Sequence, residues 1–177
     1  MAKKSPSKTK APAPVELTGL ELYFSKFAAS HQNPVNKIIH IIFIPLIIFG
    51  LFAICWSLKF PYIKFLGKYN QDFNWSSFLL AFVVYYYMRL SPVLAYFMLF
   101  ILLGFFYIIT ELVQWQTAGG PNMGIIALVI YFVSFIALFA GYELEGKKLS
   151  WEYRMKNVMT APIFLLHMVL RRFKIKY

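Results

Sequence analysis

Acidic side chains are scarce in this chain: seven Asp and Glu stand against 18 Lys and Arg, for a formal charge of +11. Charge of either sign is sparse too, at 14% of residues, where a soluble domain usually carries about a quarter. The single cysteine, Cys55, lies inside an apolar run. It excludes a disulfide framework and a thiolate metal cluster, and leaves the redox compartment unreadable. No Walker loop, dinucleotide fingerprint or Gly-x-Ser-x-Gly elbow occurs, so the common nucleotide and serine-hydrolase chemistries lack their signatures. No secretory signal peptide is expected, and the N-terminal stretch lacks the Arg that marks a mitochondrial transit peptide.

What the chain has instead is apolar surface. Apolar residues make up 60% and aromatics 20%, with 19 Phe and 12 Tyr. That balance belongs in lipid, and Tyr and Trp favour the interface where tails meet headgroups. The basic residues flank apolar runs, so they face anionic headgroups; membrane lipids are the expected partners, and nucleic acid is not. The 177 residues suffice for one domain.

Residues 1–15 have the Lys/Ser/Pro/Ala composition of a disordered basic tail. From 16 to 30, Leu17, Leu20, Tyr23, Phe24, Phe27 and Ala28 recur at helical spacing, with Thr18 and Glu21 placed as a capping box. This segment reads as an amphipathic helix on the membrane surface or packed on a bundle. Spans are expected near 38–58, 75–90, 93–112 and 123–142, and a short apolar helix near 161–173. The expected fold is an all-α polytopic membrane helix bundle forming one domain over 16–177, with about four transmembrane helices between the two shorter ones. The Lys and Arg bias places both termini on the cytoplasmic or matrix side.

Three histidines are the candidate chemistry. His31 closes the amphipathic helix, His40 sits one turn into the first span, and His167 lies in the closing helix. Asn36 and His40, four apart, share a helical face. The Asn33-Pro34 break lets His31 fold back over the next helix. Glu143 and Glu145, at the end of the fourth span, can add a carboxylate. Two or three imidazoles with one carboxylate suit non-haem Fe(II), which makes His31, His40, Glu145 and His167 the candidate ligands. The competing reading is that each histidine is a hydrogen-bonded structural residue.

The segment from His31 through Pro34 and Asn36 to His40, followed by Pro45, resembles the opening motif of a family of small multi-span membrane proteins. Its fungal member is the endoplasmic-reticulum 2-hydroxy-fatty-acid dioxygenase. Ala161-Pro162-Ile163-Phe164 is similar to that family's closing motif. The resemblance implies Fe(II), O2, a 2-hydroxy acyl chain shortened by one carbon, and His31 and His40 as ligands. It also exposes a departure: the family's Gly-His pair at the end of the fourth span reads Gly141-Tyr142 here, and the family's acidic residue in the closing helix is His167. Two functions are therefore expected to compete. One is a non-catalytic family member, a structural or lipid-holding accessory subunit among other membrane-protein subunits, in the mitochondrial inner membrane if the complex is respiratory. The other is an active Fe(II)-dependent dioxygenase of 2-hydroxy fatty acids in the endoplasmic reticulum.

Overall fold

Short polar side chains start the helices. In a computed structural model of the chain, the Asn33 side chain accepts from the amides of Val35 (2.9 Å) and Asn36 (3.4 Å), and Pro34 takes the first helical position of α2, Pro34–Ser57. Asn74 caps α3, Trp75–Leu90; Ser91 caps α4, Pro92–Thr117; Asn122 caps α5, Met123–Glu143. Before them lies α1, Gly19–Ser30, and after them α6, Trp151–Arg172. The structure describes residues 19–71, 73–146 and 151–173, with backbone alone at 19, 20, 23, 30, 71 and 151–159. The tail over 1–15 and the Thr18 cap lie outside them. Among the described residues every regular element is helical.

Three helices are long and apolar enough to cross a membrane: α2, α4 and α5, with 24, 26 and 21 residues. The chain is a membrane protein. Its exterior agrees, since Phe100 (72% exposed), Ile125 (63%) and Ile136 (66%) present bare apolar surface that belongs against acyl chains. Helix α3 has 16 residues and reaches about 24 Å, short of a hydrocarbon core about 30 Å thick. Two boundaries differ from expectation, and one link holds an unexpected turn of helix. Helix α4 continues to Thr117. Helix α6 begins at Trp151, ten residues before its apolar part. The lysine-bearing link after α2 contains a 3-10 segment, Lys64–Gln71, turned by Gly67 at φ 50°. Asn70 holds that link by bonding both the amide and the carbonyl of Ile63; such side-chain turns leave little trace in hydrophobic periodicity.

Helices α2 and α5 form the most extensive packing in the fold, antiparallel along their length. Small residues let the backbones approach. A Cβ on Gly50 would stand 3.1 Å from the backbone of Tyr131, and one on Gly124 would stand 3.2 Å from the side chain of Ser57. Ala53 and Ala127 are both buried. In lipid, where no hydrophobic gain drives helix association, close backbone approach and dispersion contacts hold a pair together. Helices α1 and α6 pack on one another, with Phe24 and Phe27 of α1 buried against Phe164. The bundle-packed reading of α1 therefore describes its apolar face.

The seam makes a prediction. Gly50→Leu drives a side chain into backbone atoms and is expected to cost about 1–3 kcal/mol, lowering the melting temperature of detergent-purified protein. Gly104→Leu on α4, where a Cβ meets nothing within 4 Å, is expected to leave it unchanged. Equal effects of the two would show that the seam is not what holds the bundle.

Candidate functional site

The non-helical residues 31–33 between α1 and α2 turn the chain so that His31 lies over the start of α2. On one continuous helix, residues nine apart would face opposite ways. Here His31 and His40 meet, each 3% exposed, with their Nε2 atoms 3.1 Å apart.

The other ring nitrogens decide what that meeting means. His31 Nδ1 lies 2.9 Å from the carbonyl of Phe27, and His40 Nδ1 lies 2.9 Å from the carbonyl of Asn36. A carbonyl only accepts, so each Nδ1 carries the hydrogen and donates it. Both neutral rings then turn an unprotonated Nε2 toward the other. Two lone pairs at 3.1 Å repel unless a cation lies between them. The cation is either one proton, which makes one ring an imidazolium, or a metal ion. Nitrogens about 2.1 Å from a shared metal at a right angle are about 3 Å apart. Fixing a ligand histidine by donating its second N–H to a backbone carbonyl is also the usual arrangement around metals. The donor set thus fits two positions of a transition-metal site.

Aromatic rings wall the pair. Phe27 stacks on His31 at 4.1 Å, and Tyr142 of α5 stands edge-on to His31 at 5.6 Å and His40 at 5.0 Å. Tyr142 is 1% exposed. It occupies the side of the pair that α5 supplies. Gly141 beside it has a steric reason: a Cβ there would stand 2.5 Å from Asn36 Oδ1, so only glycine admits Asn36 to this face.

Glu145 lies one layer out, on the junction. Its Oε1 accepts from the amide of Asn33 (3.0 Å) and from Asn36 Nδ2 (2.7 Å), while its Oε2 accepts from the amide of Gln32 (3.0 Å). Asn33 Nδ2 returns a bond to the carbonyl of Leu144 at 3.2 Å. The carboxylate therefore ties the end of α5 to the α1–α2 turn. Asn36 connects it to the pair, since the Asn36 carbonyl receives the His40 proton. Burial alone would raise the Glu145 pKa, but the bonds from Asn36, Gln32 and Asn33 outweigh it and hold the carboxyl below its usual range.

His167 is elsewhere. It lies tilted against Phe24 at 4.3 Å and parallel to Phe164 at 6.1 Å, with the Phe164–Phe27 ring contact between it and the pair. Of the four candidate ligands, then, His31 and His40 come together, Glu145 grips their turn, and His167 lies beyond a layer of phenylalanine. Among the described residues, no three of His, Cys, Asp and Glu cluster closely enough to hold a metal. Phe27 was not singled out from sequence, although its position four before His31 matches that of Asn36 before His40. That repeated spacing was the available signal.

Glu145→Gln replaces one accepting oxygen with an amide that cannot accept, beside amides that need acceptors. At this half-exposed position a loss of about 1 kcal/mol is expected. A carboxyl whose folded pKa is lowered stabilises the fold above its unfolded pKa of about 4.3. That contribution fades as pH falls further, through the folded value. The stability gap between wild type and Glu145→Gln should therefore hold steady near neutrality and close in acid. A gap that widened in acid would contradict the assignment.

Comparison with known proteins identifies the family. No curated protein and no solved structure matches the chain. A family model does, that of the 2-hydroxy-palmitic acid dioxygenase Mpo1-like proteins, over residues 17–173. The match takes in α1 through α6, and with them the broken helix, the histidine pair and the Gly141-Tyr142 corner. The chain belongs to the Mpo1-like family.

Proposed function

We propose that this protein is an Fe(II)-dependent dioxygenase of 2-hydroxy fatty acids whose metal is held by His31 and His40, with Tyr142 at the third position. The observation that carries the reading is the pair of facing Nε2 atoms, 3.1 Å apart, with both Nδ1 protons committed to carbonyls. When bound, ferrous iron supplies activation of O2 beside a chelating 2-hydroxy carboxylate. The chain's own part is positional. The carbonyls of Phe27 and Asn36 fix both tautomers, Glu145 holds the turn that brings His31 over His40, and the rings of Phe27 and Tyr142 keep water from the corner. In this reading α3 makes a fourth crossing through a locally thinned bilayer. Both termini face the cytoplasm, and the membrane is that of the endoplasmic reticulum.

A second reading has its own support, the phenol of Tyr142 where the family places an imidazole. In it the protein is a non-catalytic, lipid-holding accessory subunit of a larger membrane complex, in the mitochondrial inner membrane if that complex is respiratory. The histidine pair then keeps its shape by sharing a proton.

Iron content and turnover separate the two. Wild-type protein purified with Fe(II) is expected to retain iron and convert 2-hydroxypalmitate to a product one carbon shorter. His31→Ala and His40→Ala are each expected to lose both properties. Tyr142→His, which restores the family's imidazole, is expected to tighten iron binding about 10–100-fold. An iron-free, inert wild type that stays so in Tyr142→His would overturn the dioxygenase reading and leave the accessory one.

A further inference from the structure

One cavity lies away from the histidine pair, across the layer formed by Phe24, Phe27 and Phe164. It is an open groove of about 1510 Å³ between α1, α2, α4 and α6. A cleft for a drug-sized molecule usually measures about 300–1,000 Å³. Its long walls are apolar: Ile44, Pro45 and Ile48 from α2, and Met98, Ile101 and Phe105 from α4. Both helices are long and apolar enough to span a membrane, so this part of the groove opens at hydrocarbon depth. Pro45 lacks the hydrogen that would tie it into the helix ladder, and its ring lines the wall.

The other end is charged. Arg171 and Arg172, in the last turn of α6, line the groove with His167 and with Glu21 of α1. Burial first, and then Arg171, lower the His167 pKa, against an opposing effect of Glu21. The imidazole is thereby held toward its neutral, hydrogen-bonding form. Among the described lining residues, the fixed charge is two guanidinium groups against one carboxylate, a net positive mouth on an apolar trough. Guanidinium forks match phosphate oxygens in pairs, and basic pockets between membrane helices take anionic headgroups.

We infer that this groove is a binding site for an anionic phospholipid, with its phosphate at Arg171 and Arg172 and an acyl chain lying along Pro45, Ile48 and Met98. The charge pattern favours this occupant: an apolar trough without the basic mouth would take any acyl chain, and a basic patch without the trough would take any anion. The site stands apart from the proposed metal corner and serves either functional reading.

The test uses full-length protein stripped of lipid in detergent, with melting followed as defined lipids are added. Phosphatidic acid at about ten times its half-saturating concentration is expected to raise the melting temperature by about 4 °C. Phosphatidylcholine is expected to give no comparable rise. Arg171→Ala/Arg172→Ala should abolish the phosphatidic acid shift while binding iron as wild type does. Met98→Trp should weaken the shift by filling the trough. Lys64→Ala/Lys68→Ala, which removes charge from the distant 3-10 segment, should leave it intact. Three results would overturn the inference: an equal shift with phosphatidylcholine, a shift surviving the arginine changes, or a shift given by palmitate and not by phosphatidic acid. Loss of the shift in the lysine variant as well would show diffuse attraction rather than a site, and would overturn it too. Iron content read on the same samples keeps this outcome distinct from that of the dioxygenase reading.

Discussion

Helices α2 and α5 meet at Asn36 and Gly141, where the Asn36 side chain fills the space a Cβ on Gly141 would need, and the polar end of the molecule is organised around that contact. Because Gly141 admits Asn36, the Asn36 amide reaches Glu145. Because Glu145 is held there, its carboxylate can take the amides of Gln32 and Asn33 and set the turn after α1. The turn in its place lays His31 over His40. A steric allowance on one helix thus becomes, through four hydrogen-bonding groups, the position of an imidazole on another. None of these bonds is strong alone in a half-exposed setting, at about 1 kcal/mol net for a typical hydrogen bond. Their combined effect is geometric, since each removes a freedom of the same short turn.

The same contact explains why the two histidines form a unit. Each imidazole donates to a carbonyl four residues earlier on its own helix. Neither Nε2 can then satisfy the other without an added cation. A low-polarity surrounding raises the cost of leaving that repulsion in place. Phe27 on one side and Tyr142 on the other supply such a surrounding. The aromatic wall and the fixed tautomers therefore act in opposite directions: the tautomers leave two nitrogens converging, while the apolar wall makes any charge placed there costly to desolvate.

Much of this was legible in the residues, and the parts that were not share a cause. Apolar length and composition placed α2, α4 and α5, because hydrocarbon thickness is a constraint a linear sequence displays directly. The Asn33-Pro34 break signalled that His31 could turn back, because proline acts locally. What stayed hidden depended on side chains meeting across more than a hundred residues. Glu145 could be proposed as a carboxylate near the pair, but nothing in its spacing showed that it would bind the turn's amides. His167 carried the right residue type for a ligand, yet its place behind Phe24 and Phe164 follows from how α6 docks on α1, which periodicity does not encode. The backward extension of α6 to Trp151 was missed because residues 151–160 lack a continuous apolar face, and helicity there does not depend on one.

Tyr142 is where the histidine pair and the family's pattern meet. A tyrosine ring is longer than an imidazole, so replacing one by the other in a packed interface ordinarily requires the surroundings to open. Here the surroundings are close: a Cβ on Gly141 would meet Asn36 and Ile39, and the Tyr142 ring meets both imidazoles and Phe139. The ring is accommodated almost wholly buried, edge-on to both imidazoles. The ring also brings a hydroxyl into this interface, and a buried hydroxyl is tolerated where it is bonded. At this corner the phenol ring completes the aromatic wall around the pair, and Gly141 beside it leaves room for the Asn36 side chain that ties the junction together.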